Sequence, residues 1–282
     1  KDNTATLASL APGVGAPAHP AWSKDGQRVA FSVRTNGNGL DFTQSTLWIA
    51  DVSTNPPAFN NVGMIVPNDG ARPTVTFPTF SPDSQWIAFE RATQARTRGA
   101  ESEIWLTNPD GTVLIPLDNS NGKGYLSDAQ DSLNYEPTFN PVAAGGYIWL
   151  VTVSERQYGN TLTDTNPSTR RKQLWVTAID TSPQAGTDRS HPPFWLPGQE
   201  LTNQNMRGEW ALSPCKQMGE ICTAGYECCD GYCIQDPADN QFKCSDTPGG
   251  CSQIGDACIT AADCCDPLAS CVNGFCSSSV PN

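Results

Sequence analysis

Twelve cysteines are the residues best placed to do chemistry in this 282-residue chain, and all lie between Cys215 and Cys276. Cysteine at that density ligates a metal or staples a small module. Metal ligation prefers C-x2-C pairs with histidine nearby, and this tail has neither. The even count instead predicts disulfides, and so an oxidising compartment, extracellular or periplasmic.

The cysteines divide into two sixes. Cys215, Cys222, Cys228, Cys229, Cys233 and Cys244 are spaced C-x6-C-x5-C-C-x3-C-x10-C, and Cys251, Cys258, Cys264, Cys265, Cys271 and Cys276 are spaced C-x6-C-x5-C-C-x5-C-x4-C. The shared first three spacings mark a duplicated module of about 30 residues, too small to fold without cross-links. Six cysteines allow fifteen pairings, and spacing alone selects none of them. Adjacent cysteines do not bond to each other, because a trans peptide holds their Cα atoms at about 3.8 Å.

The C-x6-C-x5-CC pattern resembles the inhibitor cystine knot, or knottin. That resemblance implies links from first to fourth, second to fifth and third to sixth. The implied pairs are Cys215–Cys229, Cys222–Cys233 and Cys228–Cys244, then Cys251–Cys265, Cys258–Cys271 and Cys264–Cys276. "CVNGFC" suits a short hairpin turning at Asn273-Gly274.

Elsewhere the reactive inventory is thin. The two histidines, His19 and His191, both precede proline, which predicts extended or turn backbone and a structural role. There is no G-x-S-x-G, H-E-x-x-H or Gly-rich phosphate loop. Asp128, Asp131 and Glu136 are the candidates for paired acids of the glycoside-hydrolysing kind. They fall in "LDNSNGKGYLSDAQDSLNYE", which reads as a solvated insertion. Asp118, Asp128 and Asp131 are weak calcium candidates, although their spacing is not that of an EF-hand. The sequence predicts no catalytic residue and no cofactor.

The first 214 residues must supply whatever scaffold exists. "HPAWSKDGQRVAFSVR", "FPTFSPDSQWIAFER" and "EPTFNPVAAGGYIWLVTVSER" begin near residues 19, 77 and 136. Each opens on a proline with an aromatic two residues later: Pro20/Trp22, Pro78/Phe80 and Pro137/Phe139. Asp25 and Asp83 then read as turn residues. An apolar run follows in each: Val29-Ala30-Phe31, Ile87-Ala88-Phe89 and Ile148-Trp149-Leu150. A later strand in each repeat carries Trp48, Trp105 and Trp175, and "NPDGT" predicts a turn into a fourth strand. Arg34, Arg91 and Arg156 recur after the second strand and read as ties between repeats.

Four short strands at a period of about 58 residues predict an all-β fold of propeller blades. The pattern resembles the WD40-like repeat of the TolB type, loosely in the third unit. In relatives of this fold, blades serve binding or assembly, sometimes beside an enzyme domain. Three full blades cannot close a ring. Thr4–Leu10 resembles the outer strand of a preceding blade, and Arg207–Pro214, with Trp210, the strand opening the next. The expectation is a partial propeller over residues 1–214, completed by another chain or by the rest of a precursor, then cysteine modules over 215–244 and 251–276.

Charge narrows the function classes. Net charge is −12, and nine acids against two lysines put −7 of it between Cys215 and Cys276. Such a surface repels phosphate backbones and anionic membranes, which argues against a nucleic-acid partner. No apolar run is long enough for a membrane helix, so no membrane insertion is expected. "KDNTATLASL" is no secretory leader, so an exported chain would have lost one or been cut from a precursor. The absence of N-x-[ST] sequons fits a bacterial source. The reading is an exported, non-enzymatic protein-binding or assembly subunit. The alternatives are the accessory propeller of an enzyme, or an inhibitor or effector acting through the tail.

Overall fold

Alternating apolar residues between Gly- and Asp-rich turns make each repeat fold on itself as an antiparallel meander. The computed structural model describes residues 15–181, 186–211, 215–223, 225–229, 232–246, 258, 260–261, 264, 269–272 and 274–277. The first blade is β1 (Ala16–Trp22), β2 (Arg28–Asn36), β3 (Gln44–Thr54) and β4 (Pro57–Val66), paired in chain order. The second is β5 (Thr74–Phe80), β6 (Ile87–Ala92), β7 (Ser102–Thr107) and β8 (Leu114–Pro116). A short helix α1 (Asp118–Asn121) precedes the third, made of β9 (Asn134–Phe139), β10 (Tyr147–Ser154), β11 (Gln173–Asp180) and β12 (Phe194–Trp195). Among the described residues the fold is all-β, with three four-stranded sheets, none closed, forming a partial propeller. Thr4–Leu10 lies outside the described residues.

Apolar faces hold the blades together. Ala30, Leu47 and Val66 of blade one pack against Val75, Phe80, Ile87 and Phe89 of blade two, all essentially buried. Burying side chains of this size stabilises by roughly 1.5–3 kcal/mol each. Gly111, in the β7–β8 turn, presses directly on blade one. Its φ is +69°, and a Cβ there would sit 2.3 Å from the Ile65 carbonyl oxygen of β4. Only glycine fits both the left-handed backbone and the close approach.

The Asp turns are built twice from the same bonds. Ser23 Oγ donates to Asp25 Oδ1, Gln27 N donates to the same oxygen, and Arg28 N donates to Ser23 Oγ. Ser81, Asp83, Gln85 and Trp86 repeat the pattern in blade two. Ser84 Oγ then accepts from Lys24 N and Asp25 N, joining the two turns.

Two expectations from the repeats are corrected by the strand register. Ladder pairing sets Phe31 opposite Trp48, Phe89 opposite Trp105, and Thr152 opposite Trp175. In the third blade the equivalent of Val29-Ala30-Phe31 is therefore Leu150-Val151-Thr152, two residues beyond Ile148-Trp149-Leu150. The longer "NPVAAGG" turn displaces the register. Arg34, Arg91 and Arg156 likewise sit three, two and four residues past those tryptophan partners, so they are not ladder-equivalent.

From Ala211 the chain belongs to a second compact unit. Its first module holds β13 (Tyr232–Gln235) and β14 (Phe242–Ser245), and the next holds β15 (Ser270–Val272) and β16 (Phe275–Ser277), each pair an antiparallel hairpin. Cys215–Cys229, Cys222–Cys233 and Cys228–Cys244 are bonded in the first module, and Cys258–Cys271 and Cys264–Cys276 in the next. The implied link between Cys251 and Cys265 lies outside the described residues. Sulfur is the core here: Cys222, Cys228, Cys233 and Cys244 form one buried cluster.

Candidate functional site

The first strand of every blade is broken at the same place. Register slips between Ala18 and Ala21, between Thr76 and Thr79, and between Tyr135 and Thr138. In each gap stands the residue before proline, held left-handed: His19 at φ 48°, Phe77 at 50° and Glu136 at 51°. The His19-Pro20 sequence predicts extended backbone instead. The β-bulge overrides that preference and re-aims the side chain. Three such residues at equivalent positions store about 1–2 kcal/mol of strain each.

β5 runs beside both β1 and β9, so each of these residues meets the neighbouring blade. His19 stacks on Phe77 with ring centroids 4.0 Å apart, and its Nδ1 is 2.6 Å from Thr76 Oγ1. Burial, then the positive charges of Arg96 and Arg207, push the His19 pKa down to about 4, against the opposing pull of Asp41. Glu136 pairs with Lys172 at 3.4 Å, both buried, and Lys172 Nζ sits 4.3 Å above the Tyr135 ring. Glu136 N donates to Glu90 Oε2 across the blade boundary. Glu90 is fully buried, and desolvation raises its pKa to about 7 against the pull of the Glu136 N–H and Lys172.

The loop that reads as a solvated insertion is largely structural. Asn121, at the end of α1, accepts from Ile104 N and donates to Ile104 O, standing in for a strand partner. Lys123 holds Glu103 and Asp131, each at 3.0 Å, and Asp131 is buried. Asp118 and Asp128 remain exposed. Desolvation, with Asp188 and Glu103 adding, raises the Asp118 pKa. Among the described residues, these three aspartates do not converge. The triplets of ligand-type side chains that do are Cys222/Cys228/Cys244 and Cys258/Cys264/Cys276, all in disulfides.

Arginine ties the blades through tryptophan. Arg91 lies 5.1 Å over Trp105 and pairs with Asp69, in the connection entering blade two, at 2.9 Å. Arg156 lies 5.1 Å over Trp175 and donates to Ser120 O, Asn121 O and Asn134 Oδ1, in and beside the connection entering blade three. Arg34 donates to Gly39 O inside its own hairpin instead.

Beyond β12 the chain follows the same plan. Gln199 brackets Leu174 N and O as Asn121 brackets Ile104. Gly208 then lies against Val151 and Leu174, the blade-three equivalents of Ala30 and Leu47. Arg207 Nε donates to Thr138 Oγ1 and Trp210 Nε1 to Thr138 O, both at 2.9 Å. One blade earlier, Thr79 Oγ1 accepts from Phe139 N of the next blade's first strand. Residues 207–210 thus occupy the place of a fourth blade's first strand, with no ladder partner among the described residues. Residues 212–214 lie outside them.

No protein-family model matches the chain, and no curated protein matches it. Propeller-type solved structures are similar to it at low identity. A putative TolB from Agrobacterium tumefaciens is 17% identical with a TM-score of 0.34, over 60% of this chain and 46% of that one. BT0996, in a complex with RGII, is 11% identical with a TM-score of 0.39, over 69% and 59%. Zg3597, a family 117 glycoside hydrolase from Zobellia galactanivorans, is 10% identical with a TM-score of 0.32, over 71% of each. This chain therefore spans about half the length of the first two. Nothing about activity follows from likenesses this distant.

The disulfides, five among the described residues, mark an exported protein or one from another oxidising compartment. Among the described residues, no helix is long and apolar enough to cross a membrane.

Proposed function

We propose that the chain is an exported, non-enzymatic protein-binding subunit whose open propeller end docks a protein partner that contributes β-strands. The observation carrying this is the reuse of Thr138. Arg207 and Trp210 bond to it where a fourth blade would begin, and no second strand pairs with them among the described residues. An unpaired strand position beside a packed blade is a template for strand addition. Exposed large apolar residues support it: Trp22 on β1 and Met206 beside the open end are 53% and 62% exposed. Aromatic and methionine side chains are enriched at protein interfaces. The tail modules, read as knottin-like, serve as a protease-resistant terminal element in this scheme.

Native mass spectrometry of the material purified from its own source, with cross-linking at exposed Lys24, tests the proposal. The expected result is a hetero-complex or self-complex with cross-links between chains, weakened by Trp210→Ala and Trp22→Ala. A strictly monomeric chain with intrachain cross-links alone would overturn it.

A further inference from the structure

We infer a binding pocket for a small hydroxylated carboxylate, such as a uronic acid, in the β10–β11 loop of blade three. This goes beyond the docking role and does not depend on it. That connection spans residues 155–172, against 93–101 in blade two and 37–43 in blade one. The extra chain is organised. Tyr158 and Leu162 form a bridge, Thr169 N and Arg170 N donate to Asn166 O, and Asp164 Oδ1 accepts from Asn166 N. Between this loop and residues 201–202 lies a cavity of about 310 Å³, within the range of small-ligand pockets.

The lining defines the ligand. Arg171 and the hydroxyls of Thr161, Thr163, Thr169 and Thr202 line it, with Thr169 Oγ1 donating to Asn166 O and Thr202 Oγ1 to Glu200 Oε1, while Leu162 and Leu201 add an apolar patch. Three arginines (Arg156, Arg170, Arg171) against two acids (Glu155, Asp164) leave the lining one positive charge in excess, and Arg171 is the arginine with donors to spare. Glu155 and Arg170 neutralise each other at 3.3 Å, and Gly99 N also donates to Glu155. Asp164 is held by its own loop through Asn166 N and Thr169, with Arg171 and Arg170 acting on it only through their charge. Arg156 is engaged by Ser120, Asn121 and Asn134. Arg171 is fixed by Nε to Thr202 O and by Nη1 to Thr169 O. A guanidinium carries five N–H donors, so a pinned Arg171 retains donors for a carboxylate. Arg98, whose Nη2 donates to Arg170 O at 2.6 Å, adds positive charge nearby. Hydroxyls and a small apolar patch beside one fixed cation suit a ligand with C–OH groups, a C–H face and a single carboxylate.

Calorimetry on the full chain with D-glucuronate tests the inference, with methyl β-D-glucoside and acetate as comparators. The expected result is glucuronate binding that neither comparator matches. Arg171→Ala should weaken it about tenfold or more, the usual effect of losing a charge-assisted pair. Arg171→Lys should weaken it less. Unchanged near-ultraviolet circular dichroism would confirm that both variants fold. No glucuronate binding by the wild-type chain would overturn the inference, as would binding unaffected by Arg171→Ala. Equal binding of acetate would overturn the hydroxyl part.

Discussion

The two regions of this protein solve the same stability problem by opposite means. The sheet region is built without cysteine, and its blades lock through apolar faces, a glycine pressed against backbone, and amide brackets. Among the described residues, the modules after Cys215 bury little beyond their own disulfides. Size explains the difference. A three-blade unit has enough interior to bury a core, whereas a module of about 30 residues does not. The sheet region should therefore be indifferent to redox state, and the tail should depend on it entirely.

Reduction is the strongest way to break that comparison. With excess dithiothreitol, residues 215–276 should unfold and become protease-sensitive, while a fragment ending near Trp210 survives. Each native disulfide in a small domain is worth about 2–5 kcal/mol. Limited proteolysis read by mass spectrometry checks this, and loss of the sheet fragment on reduction would contradict it.

Gly111→Ala attacks the other side. The Cβ meets Ile65 O at 2.3 Å on a left-handed backbone, so stability should fall by about 3 kcal/mol or more. Gly26→Ala, also left-handed but facing open space, should cost about 1 kcal/mol. Urea denaturation of both variants measures the difference, and equal effects would remove the packing argument.

The pH response sharpens the picture within the sheet region. Glu90 has a native pKa of about 7 against an ordinary 4.5. Between those values the native state keeps a proton that the unfolded chain has released, so stability falls as pH rises through this window. The full effect is about 3 kcal/mol at one pKa unit per 1.4 kcal/mol. His19 works in the other direction. Its pKa falls from 6.5 to about 4, so the unfolded chain takes up the proton first, and stability falls as pH drops through that range. Glu90→Gln should raise stability at pH 8, and His19→Gln should flatten the acid side. Thermal melts from pH 4 to 8 separate them.

A smaller effect comes from the brackets. Asn121→Ala leaves Ile104 N without its partner and Ile104 O with Leu117 N alone, in a buried site, and should cost about 2 kcal/mol. Gln199→Ala, at the better-solvated Leu174, should cost about 1 kcal/mol. Equal losses would mean that the open end is as enclosed as the blade boundary.

Much of this architecture is legible in the sequence because it is local. The proline-aromatic openings, the Ser-x-Asp turns and the recurrent tryptophans each lie within a few residues of one another. The features that cannot be read there are carried by long separations. Asn121 meets Ile104 across 17 residues, and Gln199 meets Leu174 across 25. Glu90 acquires its environment from Glu136 and Lys172, in another blade. The third repeat misleads because its longer turn moves the register. The proline that follows His19, Phe77 and Glu136 points away from left-handed backbone, since pairwise preference cannot register a bulge set by two strands. The pairing of half-cystines rests on resemblance, because spacing leaves every alternative open.

The bulge before each proline has a consequence for how such a protein diversifies. The chain carries an imidazole, a phenyl ring and a carboxylate on one and the same backbone geometry. The fold thus fixes where a side chain is delivered while leaving its chemistry open. Residues 19, 77 and 136 share a backbone socket and differ in what surrounds it, so a residue moved among them keeps the bulge but needs new neighbours, as Lys172 would if it lost Glu136.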